Sequence, residues 1–182
     1  MKVLFLALLL AGAGAQATEY RRVDLAHSQI RFTSKQMGVP VDGVFRSFDA
    51  SVRFDPQVPA GASGQLRIAL GSIDTGNREA NEEVAGAPWF DIKHYPTAQF
   101  EMRQIQPLGA GRFQVGGMLS LKGVSRPLAV DATLKTSGAG QAVMDGAFVL
   151  KRLDFGVGEG PWGDVSVVAN EVTVQFHLVL EP

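Results

Sequence analysis

The chain has 182 residues, with 17 basic and 18 acidic side chains, a formal net charge of −1 and no cysteine. That balance provides no basic stripe to gather phosphates, which argues against a nucleic-acid partner. The lack of thiols excludes a disulfide-dense scaffold, cysteine chemistry and a lipid-modified cysteine, while 21 glycines and nine prolines suit a chain with many turns.

The chain opens MKVLFLALLLAGAGAQA, with Lys2 as a positive start, Val3–Leu10 as an apolar run and Ala15-Gln16-Ala17 as a small-x-small cleavage site. This is the pattern of a secretory signal peptide. The run is too short for a resident membrane helix, and no later run reaches the eighteen or so apolar residues required, so stable membrane insertion is not expected. Residues 1–17 are expected to be removed and residues 18–182 to form the mature domain. It has 182 − 17 = 165 residues, with 16 basic and 18 acidic side chains and a charge of −2. That length suits one soluble domain with a single sizeable core.

Asp24–Phe32 reads as the first strand, with Ile30 and Phe32 on one face and Gln29, Arg31 and Thr33 on the other, because side chains alternate along a strand. Gly38-Val39-Pro40 reads as a bend. Val39, Val41, Gly43 and Phe45 then share a face, whereas Phe48, Ala50, Val52 and Phe54 have the opposite parity. One extra residue near Arg46-Ser47 accounts for the switch, as in a β-bulge at a barrel corner, where Gly43 would also fit. After a Pro/Gly/Ala/Ser loop over Asp55–Gly64, Leu66, Ile68 and Leu70 form the next strand. The polar stretch Asp74–Gly86 predicts a short helix capped by Asp74 or Thr75 and ended by Gly86. Such a helix is too weakly amphipathic to hold itself, so Pro88-Trp89-Phe90 is expected to pin it to the sheet or over one end of it.

Phe100 and Met102 resume the sheet. Phe113, Val115, Gly117, Leu119 and Leu121 then run to a turn at Lys122-Gly123, and Leu128, Val130, Ala132 and Leu134 return with the same alternation. This is a long antiparallel hairpin. A turn at Gly138–Gly140 leads to a strand through Val143, Ala147 and Val149. The glycine-rich passage Arg152–Gly163 follows, and Val172, Val174, Phe176, Leu178 and Leu180 close the chain. The count is about eight strands and one short helix. Sequential neighbours can pair simply, so the expected fold is all-β, an up-and-down antiparallel barrel whose lumen admits side chains or one slender ligand. A two-sheet sandwich is the rival architecture.

Polar chemistry is sparse. His27, His94 and His177 stand in no metal-ligand spacing; His27 reads as a turn-stabilising residue, and His177 should point outward between Phe176 and Leu178. Ser28, Ser72 and Ser125 lack an activating motif such as G-x-S-x-G, and no phosphate loop is present. Asp74 reads as a cap, Asp91 as a turn former, and Asp154 as a partner for Arg152 or for backbone amides. Neither a catalytic residue, a metal site nor a cofactor is expected. Aromatic mass dominates instead: Phe32, Phe45, Phe48, Phe54, Phe100, Phe113, Phe148, Phe155 and Phe176, with Trp89, Phe90 and Leu119, are the candidate lumen residues. Each buried methylene contributes roughly 0.8 kcal/mol, so a long hydrocarbon binds with almost no hydrogen bonds.

Six pieces of the chain together resemble the YceI family of periplasmic polyisoprenoid-binding proteins. They are Asp24-x-x-His27-Ser28-x-Ile30-x-Phe32, Gly43-x-Phe45-x-x-Phe48, Ser72-Ile73-Asp74-Thr75-Gly76-Asn77, Trp89-Phe90-Asp91 with Pro96-x-x-x-Phe100, Gly117-x-Leu119-x-Leu121-Lys122-Gly123-Val124 with Pro127, and Arg152-x-Asp154-Phe155-Gly156. No piece is specific alone; their order and gaps are. The resemblance implies a lipocalin-like extended barrel holding an isoprenoid or other long apolar lipid, in the periplasm. The expected role is transport, storage or sequestration rather than catalysis. The competing readings are an enzyme acting on a small apolar substrate, through Asp74, Asp91, His27 or Arg152, and an envelope interaction module with a filled core. Whether the barrel forms a homodimer is left open by the sequence.

Overall fold

A computed structural model describes residues 18–137 and 140–182 of the protein. The expected signal peptide, residues 1–17, and residues 138–139 of the expected Gly138–Gly140 turn lie outside the described residues. Ten strands form one sheet: β1 (Arg22–Gln36), β2 (Val39–Phe45), β3 (Phe48–Arg53), β4 (Ser63–Ala69), β5 (Ile73–Asp74), β6 (Thr97–Gly109), β7 (Arg112–Leu121), β8 (Val124–Thr136), β9 (Ala142–Lys151) and β10 (Glu171–Glu181). Their order across the sheet is β3-β4-β6-β7-β8-β9-β10-β1-β2-β5, and every pairing is antiparallel. The expected all-β antiparallel architecture is therefore present. Ten strands replace the expected eight because β5 is a two-residue strand and the segment through Arg46-Ser47 is divided.

That division corrects the expected bulge. β2 pairs with β1 and β5, whereas β3 pairs with β4 at the opposite edge of the sheet. Arg46 and Ser47 carry the chain across, their amides bonding to Ser72 at 3.1 Å each, through its carbonyl and its Oγ respectively. The strands' twist curls the sheet until its two ends approach, and Tyr20 and Phe54 stitch the seam with two backbone hydrogen bonds of 2.8 and 2.9 Å.

Two hairpin turns use paired positive φ values, at Met37-Gly38 (49° and 80°) and at Lys122-Gly123 (48° and 76°), the geometry that matches the twist of antiparallel strands. The first replaces the expected bend at Gly38-Val39-Pro40, and Pro40 lies within β2. A larger irregularity interrupts β1, where Leu25–Ser28 loop out between Asp24 and Gln29. Asp24 Oδ1 accepts from the amides of Ala26 and His27, while the buried Ser28 hydroxyl donates to Asp24 O at 2.6 Å and accepts from Val179 N at 2.9 Å. The side chain supplies the acceptor that the displaced backbone withholds.

The excursion from the sheet carries α1 (Arg78–Ala85). Its cap is Asn77, whose side chain accepts from Ala80 N, rather than Asp74 or Thr75; Gly86 ends it as expected. Asp74 instead accepts from Gly76 N at 2.7 Å and pairs with Arg46.

Candidate functional site

The curled sheet lines two neighbouring chambers. The wider, of about 480 Å³, is lined from the sheet by Phe32, Val41, Phe45, Leu70, Leu121 and Leu150, and from the excursion by Ala80, Val84, Trp89 and Phe90. Its volume falls within the range of small-molecule sites. Gln36, Glu79 and Glu83, all exposed, stand at its outer end, so this end meets water. The inner chamber, of about 150 Å³, is lined almost wholly by apolar atoms, among them Val52, Leu66, Phe100, Met102, Phe176 and Leu178. Ile30, Ile68, Ala98, Leu119, Phe148 and Val174 border both and form the wall they share. A buried cluster containing Tyr20, Phe54, Ile105, Phe113, Ala142 and Leu180 closes the inner end.

Eight of the twelve residues singled out from the sequence line this lumen: Phe32, Phe45, Trp89, Phe90, Phe100, Leu119, Phe148 and Phe176. Four do not. Phe54 and Phe113 meet edge to face at 5.2 Å inside the closing cluster and fill the core there. Phe155 is buried beside the wider chamber, in a 3-10 turn, with the Arg126 guanidinium 6.0 Å from its ring. Phe48 shares a face of β3 with Ala50 and Val52 yet borders neither chamber. Aromatic mass alone does not separate wall from plug.

Glycines keep the wall thin where the rings lie. A Cβ on Gly43 would stand 2.6 Å from Phe32 Cε1, one on Gly146 would stand 2.7 Å from Phe176 Cε1, and one on Gly117 would stand 2.7 Å from Phe100 Cζ. Phe32 faces Gly43 and Phe176 faces Gly146 in register across their strand pairs. Each ring lies across a neighbouring glycine instead of projecting into the lumen, the arrangement by which aromatics shield glycine in a sheet.

The excursion sits over the wide chamber through its aromatics, as expected of Trp89 and Phe90. Phe90 meets Phe45 at 6.4 Å, and Trp89 lies 5.5 Å from Trp162. Beneath it is Arg152, only 2% exposed. The expected pairing with Asp154 does not form, because the two belong to a 3-10 turn rather than a strand face. Arg152 instead donates to five carbonyls, those of Ala169, Val157, Gly158, Trp162 and Val168, at 2.5–3.1 Å. Burial holds its pKa below the ordinary guanidinium value, and the carbonyl dipoles and the Trp89 ring 5.5 Å away offset the charge. This clamp binds the loop after β9 to the mouth of the lumen. An arginine opening a glycine-rich passage is the only sequence signal for it.

The other polar candidates are dispersed. His27 binds Asp24 at 2.6 Å, His94 binds Asp91 at 2.9 Å and His177 binds Asp145 at 2.7 Å, all on the exposed surface. Asp91 occupies a turn with φ 49°. Ser28 follows His27 in sequence, but its hydroxyl is committed to backbone partners. Among the described residues, no group of three or more His, Asp or Glu side chains is placed to hold a metal ion.

A family model described as YceI-like domain matches residues 22–180. The chain is similar to a UPF0312 protein of Azotobacter vinelandii, 30% identical over 157 residues that span 83% of this chain and 82% of that one. Among solved structures it is similar to BcnA of Burkholderia cenocepacia, with a TM-score of 0.84 and 44% identity over 87% of this chain and 99% of that one. It also matches a polyisoprenoid binding domain from Saccharophagus degradans implicated in plant cell wall breakdown, with a TM-score of 0.71 and coverage of 89% and 97%. At 21% identity that last likeness is one of fold.

Proposed function

This chain belongs to the YceI-like family, and on that premise we propose that it is an exported, periplasmic protein that holds a long isoprenoid lipid in its lumen for transport, storage or sequestration. The observation that carries the reading is the pair of adjacent apolar chambers that share six wall residues, the wider bordered by exposed polar side chains and the smaller by the packed cluster of Tyr20, Phe54 and Phe113. A flexible hydrocarbon with one polar end suits such a tunnel. Every methylene that leaves water contributes about 0.8 kcal/mol, against the cost of association and chain ordering. The Saccharophagus degradans neighbour, described as binding polyisoprenoid, supports the choice of chain. Export rests on the N-terminal pattern of residues 1–17.

The test is extraction of the protein purified from its native host, followed by mass spectrometry, with melting curves for the delipidated protein plus squalene or a polyprenol. A co-purifying prenyl compound and a rise in melting temperature are expected. A lumen that yields no lipid, with no shift from either probe, overturns the reading. N-terminal sequencing of the periplasmic fraction is expected to begin at Thr18; a chain still beginning at Met1 overturns the export step.

A further inference from the structure

We propose that the rim formed by Met37, Val39 and Val165 docks on the surface of a phospholipid bilayer, and that cargo enters and leaves the wider chamber during that contact. The inference rests on the lipid-holding reading above and goes beyond it to a partner and a route.

Three exposed apolar side chains gather at one place. Met37, Val39 and Val165 are 72, 63 and 54% exposed, and Met37 and Val39 are the two most exposed large hydrophobics among the described residues. The backbone holds their separate segments together. Met37 N donates to Val167 O at 2.7 Å, Ala169 N donates to Lys35 O at 2.9 Å, and Gln36 pairs with Val168. Gln36 and Val168 also line the wider chamber, so the three side chains flank its edge. Val39 continues the face of β2 that carries Val41 and Phe45, both in the chamber wall. The apolar lining thus runs from chamber to surface without changing face.

Solubility names the occupant. Each methylene left in water lowers the aqueous concentration of a hydrocarbon about fourfold, so ten of them lower it about a millionfold. A lipid of that length passes where two apolar phases touch, not through the water between them. Charge decides the kind of contact. Segments 35–39 and 164–168 carry one cation, Lys35, and one anion, Asp164, and the exposed carboxylates of Glu79 and Glu83 border the same chamber. No excess of positive charge is there to seek anionic head groups, so the contact is made by the apolar side chains. Three of them make a shallow contact that releases, as a carrier needs. Among the described residues no helix is long and apolar enough to cross a membrane.

The experiment uses the full mature protein loaded with geranylgeraniol that carries a nitrobenzoxadiazole fluorophore. It is mixed with phosphatidylcholine vesicles containing a rhodamine lipid as energy acceptor. The transfer rate is expected to rise in proportion to vesicle concentration. Met37→Asn/Val39→Thr/Val165→Thr keeps side-chain size at the valines and places a residue that tolerates the positive φ (49°) at position 37. It is expected to slow transfer about tenfold, roughly twofold for each side chain withdrawn from the bilayer, while probe affinity stays within about twofold. Met37→Trp suits the bilayer interface, and is expected to speed transfer about threefold and to shift tryptophan emission to the blue when vesicles are added. Leu108→Thr alters an exposed residue at the end of the sheet that carries the closing cluster, and is expected to leave transfer unchanged. A rate independent of vesicle concentration, a triple variant as fast as wild type, an equal loss in Leu108→Thr, a Met37→Trp protein no faster than wild type, or a severalfold gain from added phosphatidylglycerol each overturns the docking. So does light scattering that shows a wild-type dimer made monomeric by the triple variant, since a second copy then covers the rim. In each of these cases the lipid-binding reading stands. Failure of the probe to bind wild type overturns both.

Discussion

Consider Gly146→Ala. The new methyl group would lie 2.7 Å from Phe176 Cε1, closer still to Cζ, and 3.0 Å from the carbonyl oxygen of Asp131. Ordinary carbon contacts need about 3.5–4.0 Å, so the ring edge must retreat by about 1 Å or more, and Phe176 borders the inner chamber into which it would be driven. Overpacking of this kind costs about 1–3 kcal/mol. Replacing glycine where its backbone needs no positive φ returns about 0.4–1 kcal/mol by restricting the unfolded chain. At the midpoints of the two ranges the net loss is then about 1.3 kcal/mol, or about 3–5 °C in melting temperature for a domain of this size. Squalene affinity falls too, since each methylene excluded from the inner chamber forfeits about 0.8 kcal/mol. The double variant Gly146→Ala/Phe176→Leu removes the ring the methyl strikes, so the two changes should be less than additive. Melting curves and squalene titration of both singles and the double provide the assay. Strict additivity, or a Gly146→Ala protein that melts and binds like wild type, refutes the claim that these glycines hold the rings out of the lumen.

Gly117→Ala should be more damaging than Gly146→Ala, because its Cβ would lie far closer to the backbone carbonyl of Glu101 than that of Gly146 lies to the carbonyl of Asp131, and a carbonyl cannot rotate away; urea midpoints rank the two. Arg152→Met strips a donor from five carbonyls, and the loss should be at least about 4 kcal/mol, visible as failure to fold or a collapsed urea midpoint, whereas Arg152→Lys, with three donors, should lie between. Ser28→Ala leaves Val179 N without its acceptor at a half-buried site, costing about 1 kcal/mol by urea denaturation. Acid should loosen the fold through three clamps. Glu19 is held below the ordinary carboxylate range first by its bond from Arg53, Asp24 first by its bond from His27, and Asp74 first by the Gly76 amide and then by Arg46. A carboxylate depressed in the folded state adds stability that is complete above its unfolded value and is lost as pH falls through the folded one. Melting temperature should therefore change little through these groups above about pH 5 and fall below about pH 4, and the triple variant Glu19→Gln/Asp24→Asn/Asp74→Asn should show a shallower acid decline.

How much of this was legible before any coordinates depends on the range of the forces involved. Period-two alternation is local, so β1, β7, β8 and β10 could be read directly, and the Lys122-Gly123 turn announced itself by its glycine. The parity switch at Arg46-Ser47 was visible, but its cause was not, because an inserted residue and an edge-to-edge crossing leave the same mark on alternation. The division of the aromatics into wall and plug depends on depth along the barrel. Phe100 and Phe113 both belong to inward-facing sets, yet one borders the inner chamber and the other meets Phe54 in the closing cluster. Depth follows from register and shear over the whole sheet, quantities no single strand encodes.

The glycine and phenylalanine pairs lie between these extremes, and they show what kind of information the lumen requires. Phe32 and Gly43 are eleven positions apart, and Phe176 and Gly146 thirty, yet each pair is joined in register. Once the strands are paired, an inward glycine opposite an inward phenylalanine marks a ring laid along the wall, and a set of such pairs marks a barrel that stays hollow. Composition reports the same residues as filler for a core. A cavity is thus specified less by the bulky side chains that surround it than by the small ones that give those side chains somewhere else to lie.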